Sequence, residues 1–181
     1  MIHVVGPTLT GSRVTLRVMQ ESDAGELRRL RAAPAVAEWW GPVEDEFPNE
    51  DEPEATRMCI LVDGRIAGLV QYGEEPDESF RHAWIDMFVD AEMHGRGIGT
   101  DALETLVEHL LTEGGHHRVT IDPAADNLGA IRCYEKVGFR RVGVMESAER
   151  DEHTGRWRDV ILMELVRLPV GRPPAPHRAT D

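Results

Sequence analysis

The sequence predicts an α/β (α+β) domain, an expectation that rests on three observations. Short runs of β-branched and apolar residues recur with period two, the mark of half-buried strands. Between them lie stretches whose apolar residues return at helical spacing, among them Ile98, Ala102, Leu103, Leu106, Val107 and Leu110. An Asp63-Gly64 pair joins two apolar runs, the pattern of a tight hairpin.

Arg13 to Val18 alternates and is rich in β-branched residues, predicting a first strand. Ser22 is placed as the N-cap of a helix carrying Leu27 and Leu30 on one face, and Pro34 stops that helix and opens a short one toward Trp39 and Trp40. Gly41-Pro42 breaks the chain. From Glu44 to Glu54 the chain is acidic and aperiodic, predicting an exposed loop or a lid over a substrate. Met58 to Val62 and Ile66 to Tyr72 form the hairpin around Asp63-Gly64, and a second acidic loop spans Glu74 to Glu78. His82 to Val89 is a buried strand in which Asp86 is the anomaly. A glycine-rich turn leads to the helix from Ile98, stopped at Gly114-Gly115, and His117 to Ile121 is again a strand. Asn127 to Gly138 is a short helix, followed by strands around Phe139 to Met145 and Val160 to Val166, with Trp84 and Trp157 packing on the sheet. Residues 1–168 are expected to be one domain and 169–181, with four of the eleven prolines, a disordered tail.

The 181 residues carry 33 Asp and Glu against 20 Lys and Arg, a net charge of −13. Phosphate backbones are held by clustered cations, so nucleic acid is excluded as a general partner and cationic partners are favoured. No run approaches the ~20 apolar residues of a membrane helix. Cys59 and Cys133 are too few for a disulfide framework and lack metal-ligand spacing, as does the His116-His117 pair. A cytoplasmic protein without a metal, monomeric or homodimeric, is the expectation.

The turn from Asp90 to Thr100 carries the chemistry. Gly95, Gly97 and Gly99 let successive N–H groups converge on an anion, and the following helix adds its unpaired amides and the positive end of its dipole. No Gly-Lys-Ser/Thr follows, and the glycine spacing differs from the dinucleotide fingerprint. A plain tight turn would use the same glycines.

The run from Ile85 to Leu103, with Asn127 to Phe139, resembles the GNAT superfamily of acyl-CoA-dependent N-acyltransferases, over roughly residues 12–167. Gly97 and Gly99 match its signature, and His94 stands where the family has Arg or Gln. The resemblance implies a mixed, mostly antiparallel sheet of about six to seven strands, splayed at the cofactor site, with helices on both faces. Acetyl-CoA is the implied co-substrate. Backbone groups of Met87, Phe88 and Val89 would pair with its pantetheine arm, and the Phe88 or Val89 amide would polarise the thioester carbonyl. His94, Gly95, Arg96, Gly97, Ile98, Gly99 and Thr100 would surround the pyrophosphate, with Asn127 contacting the arm and Arg96 supplying a charge. Tyr134 sits where the family places a phenol that protonates the departing thiolate.

A finer resemblance is to the aminoglycoside 6′-N-acetyltransferases, carried by Glu38 to Gly41, Ile85-Asp86, Thr120 to Pro123 and Ala130 to Lys136. It implies a polycationic amine acceptor, with Trp39 and Trp40 as apolar walls and Asp86 and Asp122 binding the amine and supplying the base. Asp122 is the favoured holder or base and Asp86 its partner. A protein N-terminus, a lysine or a siderophore hydroxylamine as acceptor, and a non-catalytic acyl-CoA sensor, remain open alternatives.

Overall fold

The structure, a computed structural model, describes residues 6–48 and 55–168. Its strands are β1 (Thr8–Thr10), β2 (Thr15–Val18), β3 (Ala55–Val62), β4 (Arg65–Glu74), β5 (Ala83–Val89), β6 (Arg118–Ile121), β7 (Arg140–Arg150) and β8 (Trp157–Val166). Its helices are α1 (Ala24–Arg31), α2 (Pro34–Trp40), α3 (Ile98–Thr112) and α4 (Leu128–Val137). The strands form one sheet in the order β1-β2-β3-β4-β5-β6-β8-β7, antiparallel except between β5 and β6. This is the predicted mixed, mostly antiparallel fold, with eight strands rather than six to seven. The uncounted strand is β1, three partly polar residues that pairing with β2, rather than any apolar alternation, makes a strand.

Helices cover both faces because the strands are apolar on both. Ile85, Met87 and Val89 of β5 join a core with Leu103, Leu106 and Leu110 of α3 and Ile131 and Tyr134 of α4. Phe88 points the other way, into a second core with Leu27 and Leu30 of α1, Val36 of α2 and Cys59 and Leu69 of the sheet. By the same alternation Asp86 lies on the α2 face. The hairpin between β3 and β4 turns at Asp63 (φ 49°) and Gly64 (φ 76°), both in the left-handed region that its sequence anticipated.

Local expectations shift in several places. Ser22 is not the N-cap. A 3-10 turn over Glu21–Asp23 precedes α1, and the Asp23 carboxylate accepts the Gln20 N–H at 2.7 Å while pairing with Arg17. The start of the acidic segment is docked rather than loose: Phe47 is buried, and Arg31 lies between the Trp40 and Phe47 rings while forming an ion pair with Glu44. Its remainder, 49–54, and the expected tail, 169–181, lie outside the described residues. Trp157 does not pack on the sheet but is 62% exposed.

Candidate active site

The sheet opens because β5 and β6 stay in register only at Ala83–Val119 and Trp84–Thr120. Past Ile121 the chain turns toward β8: Ile161 N–H donates to Pro123 O and Ala125 N–H to Asp159 O, each at 2.9 Å. The outer edge of β5 from Asp86 to Val89 is left facing a cleft of about 1290 Å³.

Which backbone groups face that cleft follows from the antiparallel ladder with β4. Asp90 N–H donates to Ala67 O at 2.7 Å, so in a register that sets Leu69 against Phe88 the groups of Asp86 and Phe88 turn toward β4. Met87 and Val89 therefore face the cleft. The expectation that Phe88 offers its backbone to the cofactor is corrected on this ground; its ring instead packs edge-on against Trp40, centroids 5.0 Å apart. Met87 O accepts the Trp40 Nε1–H at 3.2 Å, and Val89 O accepts the His94 Nε2–H at 2.9 Å. Met87 N–H donates to Asp86 Oδ1 at 2.8 Å. Among the described residues the Val89 N–H has no partner, which leaves it available to an oxygen in the cleft.

At the far end of β5 the glycine turn forms an anion cradle. Gly95 (φ 73°) and Gly97 (φ 81°) occupy conformations that side-chain-bearing residues avoid, and Gly97 is the N-cap of α3. The first intrahelical bond is Asp101 N–H to Gly97 O, so the amides of Ile98, Gly99 and Thr100 have no acceptor among the described residues. These amides and the positive end of the 15-residue α3 suit a pyrophosphate. Arg96 departs from expectation. It is exposed and outside the cleft lining, its N–H is spent on Met93 O at 3.4 Å, and its carbonyl accepts from Arg13. The cations beside the cleft at this end are Arg132 and Lys136 of α4. Asn127 caps α4 by accepting the Ala130 N–H at 3.1 Å, which leaves its side-chain NH2 for a ligand.

Asp86, Asp122 and Tyr134 line the middle of the cleft together. Burial, and then the charges of Asp122 and Glu149, push the Asp86 carboxyl up to about 7, against the pull of the Met87 N–H. Burial and Glu149 raise Asp122 in the same direction. Burial also raises the Tyr134 phenol, with Asp86 contributing, so the hydroxyl keeps its proton. Tyr134 is held by packing on Phe139, ring centroids 6.3 Å apart. Cys133 lines the cleft beside Thr100, but burial raises its thiol as well, away from nucleophilic form. No group of metal-ligating side chains occurs among the described residues.

Trp39 and Trp40 stand at the end of α2 and line the cleft. Arg31 fixes Trp40 by donating to its carbonyl at 2.9 Å beneath its ring. The sequence reading missed the facing wall, which comes from β7 and β8: Met145, Ala148, Glu149 and Arg158 line the cleft, as does the β7–β8 connection through His153. The charged run from Glu146 to Asp159 was the available signal, but it resembles any solvated hairpin.

Comparison with known proteins agrees with this geometry. Residues 21–139 match the model of the Acetyltransferase (GNAT) family. An aminoglycoside N(6′)-acetyltransferase type 1 of Klebsiella pneumoniae is 30% identical over 165 residues, covering 78% of this chain and 81% of that protein. A kanamycin resistance protein of Rhizobium radiobacter is 39% identical over 95 residues, covering 52% of this chain and 82% of that protein. The crystal structure of aminoglycoside acetyltransferase AAC(6′)-Ib in complex with coenzyme A superposes with a TM-score of 0.72 at 27% identity, covering 85% of this chain and 95% of that one. A cleft between splayed strands, a cradle of free amides and a family match over most of the chain converge on one conclusion: the chain belongs to the GNAT family of acetyltransferases, with acetyl-CoA as co-substrate.

Proposed function

We propose that the protein acetylates a primary amine of a polycationic small molecule, the 6′-amine of an aminoglycoside. The observation that carries this reading is the set of carboxylates, Asp86, Asp122 and Glu149, that line one cleft at the open edge of β5 together with two tryptophans. The names of the relatives support the same acceptor.

Acetyl-CoA, when bound, supplies an acyl group already activated as a thioester. The amides of Ile98 to Thr100 hold its pyrophosphate, the carbonyls of Met87 and Val89, each keeping one lone pair beside its Trp40 or His94 donor, hold its arm, and Asn127 adds a side-chain donor. The Val89 N–H donates to the carbonyl oxygen as negative charge gathers there. Asp122, the more exposed carboxylate, binds the acceptor ammonium, and Asp86, with its carboxyl near 7, accepts the proton that must leave before the nitrogen attacks. Tyr134 Oη supplies a proton to the departing sulfur.

The test incubates the protein with acetyl-CoA and a panel of aminoglycosides, peptides, polyamines and hydroxylamines, following thiol release and product mass. Acetylation of kanamycin-like acceptors bearing a 6′-amine, and none of a 6′-hydroxyl analogue, is the expected result. Turnover restricted to peptides or hydroxylamines would move the activity to another acceptor, and no turnover with any amine would refute the assignment.

A further inference from the structure

Strands β7 and β8 pair regularly at Val144–Ile161 and Met145–Val160, then resume at Glu149–Arg158, so residues 146–148 of β7 stand against Asp159 alone. Ser147 takes φ 50° there, and its N–H donates to Asp159 Oδ1 at 2.8 Å. A bulge of this kind bends its strand and re-aims the side chains after it. Here Ala148 and Glu149 stand at the wall of the cleft, beside Met145 just before the bulge.

Arg158 sits directly across the ladder from Glu149 and grips both carboxylate oxygens, Nε to Oε2 at 3.0 Å and Nη2 to Oε1 at 2.5 Å. The same guanidinium donates to the carbonyls of Glu38 at 3.2 Å and Trp39 at 3.0 Å, and lies 5.9 Å from the Trp39 ring centroid. Those carbonyls belong to the last turn of α2, where no helical donor reaches them. One side chain, only 16% exposed, therefore joins the far edge of the sheet to α2 across the acceptor side of the cleft. His153 adds a second tie, its Nε2 donating to Ala37 O at 2.9 Å.

We propose that Glu149 is an acceptor-binding carboxylate and that Arg158 is the positioning residue that holds it, together with the tryptophan-bearing end of α2, in place for a cationic amine. This rests on the amine acceptor proposed above. Each Glu149 oxygen takes one N–H from Arg158 and keeps a further lone pair for an ammonium. Glu149 lines the same cleft as Asp86 and Asp122, and its charge adds to the rise of both carboxyls. Only a planar fork serves a carboxylate and two carbonyls at once; a lysine at this position keeps the charge and loses the geometry.

The experiment measures acceptor KM and kcat with kanamycin, acetyl-CoA affinity by calorimetry, and melting temperature, for the wild type, Glu149→Gln, Arg158→Met, Arg158→Lys and the Glu149→Gln/Arg158→Met double variant. Acceptor KM is expected to rise by about tenfold or more in each of Glu149→Gln and Arg158→Met, with acetyl-CoA affinity unchanged within about twofold. Arg158→Lys is expected to lie between wild type and Arg158→Met. The double variant should fall short of the product of the single effects, because the two residues act as a pair. An unchanged acceptor KM in the single variants overturns the inference. So does an equal loss of acceptor and acetyl-CoA binding, or an additive double variant, since either assigns Arg158 to general stability. Wild-type protein that acetylates no amine removes the proposed function and this inference with it, whereas an active wild type with indifferent variants removes this inference alone.

Discussion

Tyr134 is buried at 7% exposure, yet its side chain reaches the cleft, and that combination limits what it can do. A phenol whose acidity is further weakened by burial and by Asp86 will not act as a base at neutral pH; it can only donate. Tyr134→Phe is therefore expected to lower kcat by roughly 10- to 100-fold with acetyl-CoA affinity nearly intact, checked by steady-state rates beside calorimetry. Asp86 carries the complementary expectation. Its folded carboxyl is raised to about 7, so activity should climb with pH through that region as the base is freed, and Asp86→Asn should remove the limb. Stability has the opposite sign. The native state holds this proton after the unfolded chain has lost it near ~3.9, so stability drains away as pH rises from about 4 to about 7. Melting curves should then show Asp86→Asn more stable than wild type at pH ~8, with the gap closing toward pH ~4. Asp86 was legible in the sequence because one carboxylate interrupts an apolar strand. Glu149 was not, because its place in the cleft depends on a bulge, and nothing in Glu-Ser-Ala-Glu distinguishes a bulge from a plain exposed strand.

Helix α3 does two jobs whose demands meet in its first turn. Gly97 must stay in the left-handed region to point the following amides into the cleft, while Asp101 turns the other way and accepts the N–H groups of Ser12, Arg13 and Val14 at 3.0, 2.6 and 2.9 Å. The carboxylate thus pins the cradle to the β1–β2 turn. Gly97→Ala is expected to weaken acetyl-CoA binding about tenfold, since the left-handed conformation costs a side chain ~1–2 kcal/mol. Calorimetric affinities decide this, and wild-type binding would show that the turn tolerates another geometry. Asp101→Ala should instead cost stability, by about 2–3 kcal/mol for one buried and two part-buried donors left without their acceptor, read from the denaturant midpoint. The body of α3 was plain in the sequence because leucines at helical spacing need only the sheet beneath them. Its link to residues 12–14 was invisible, because a sequence separation of 87 to 89 leaves no local trace. β1 was hidden for a different reason, three partly polar residues without apolar alternation, whereas α2 and α4 announced their ends through Pro34, Asn127 and Gly138.

The net charge of −13 is unevenly laid out over the fold. The cleft is lined by the amides and dipole of the α3 end, Arg132 and Lys136 at the cradle, and by Glu38, Asp86, Asp122 and Glu149 on the side proposed for the acceptor, with Arg158 paired to the last. The sequence foretold this division in outline, but it placed Arg96 at the anion end, where the structure puts α4 cations instead. A polycationic acceptor gains from the long-range field as well as from contacts, while the anionic co-substrate is bound by short contacts against that field. Salt separates the two. Raising ionic strength from about 0.1 M to about 1 M cuts the Debye length from about 10 Å to about 3 Å and removes most of the long-range part. Acceptor KM is therefore expected to rise several-fold over that range, while acetyl-CoA affinity holds steady or improves as repulsion from the acidic surface is screened. Steady-state titrations of acceptor with acetyl-CoA saturating, paired with calorimetry of acetyl-CoA alone, read the two responses separately. If both constants worsen together, the field does not discriminate between the ligands, and the carboxylates of the cleft act only at contact distance.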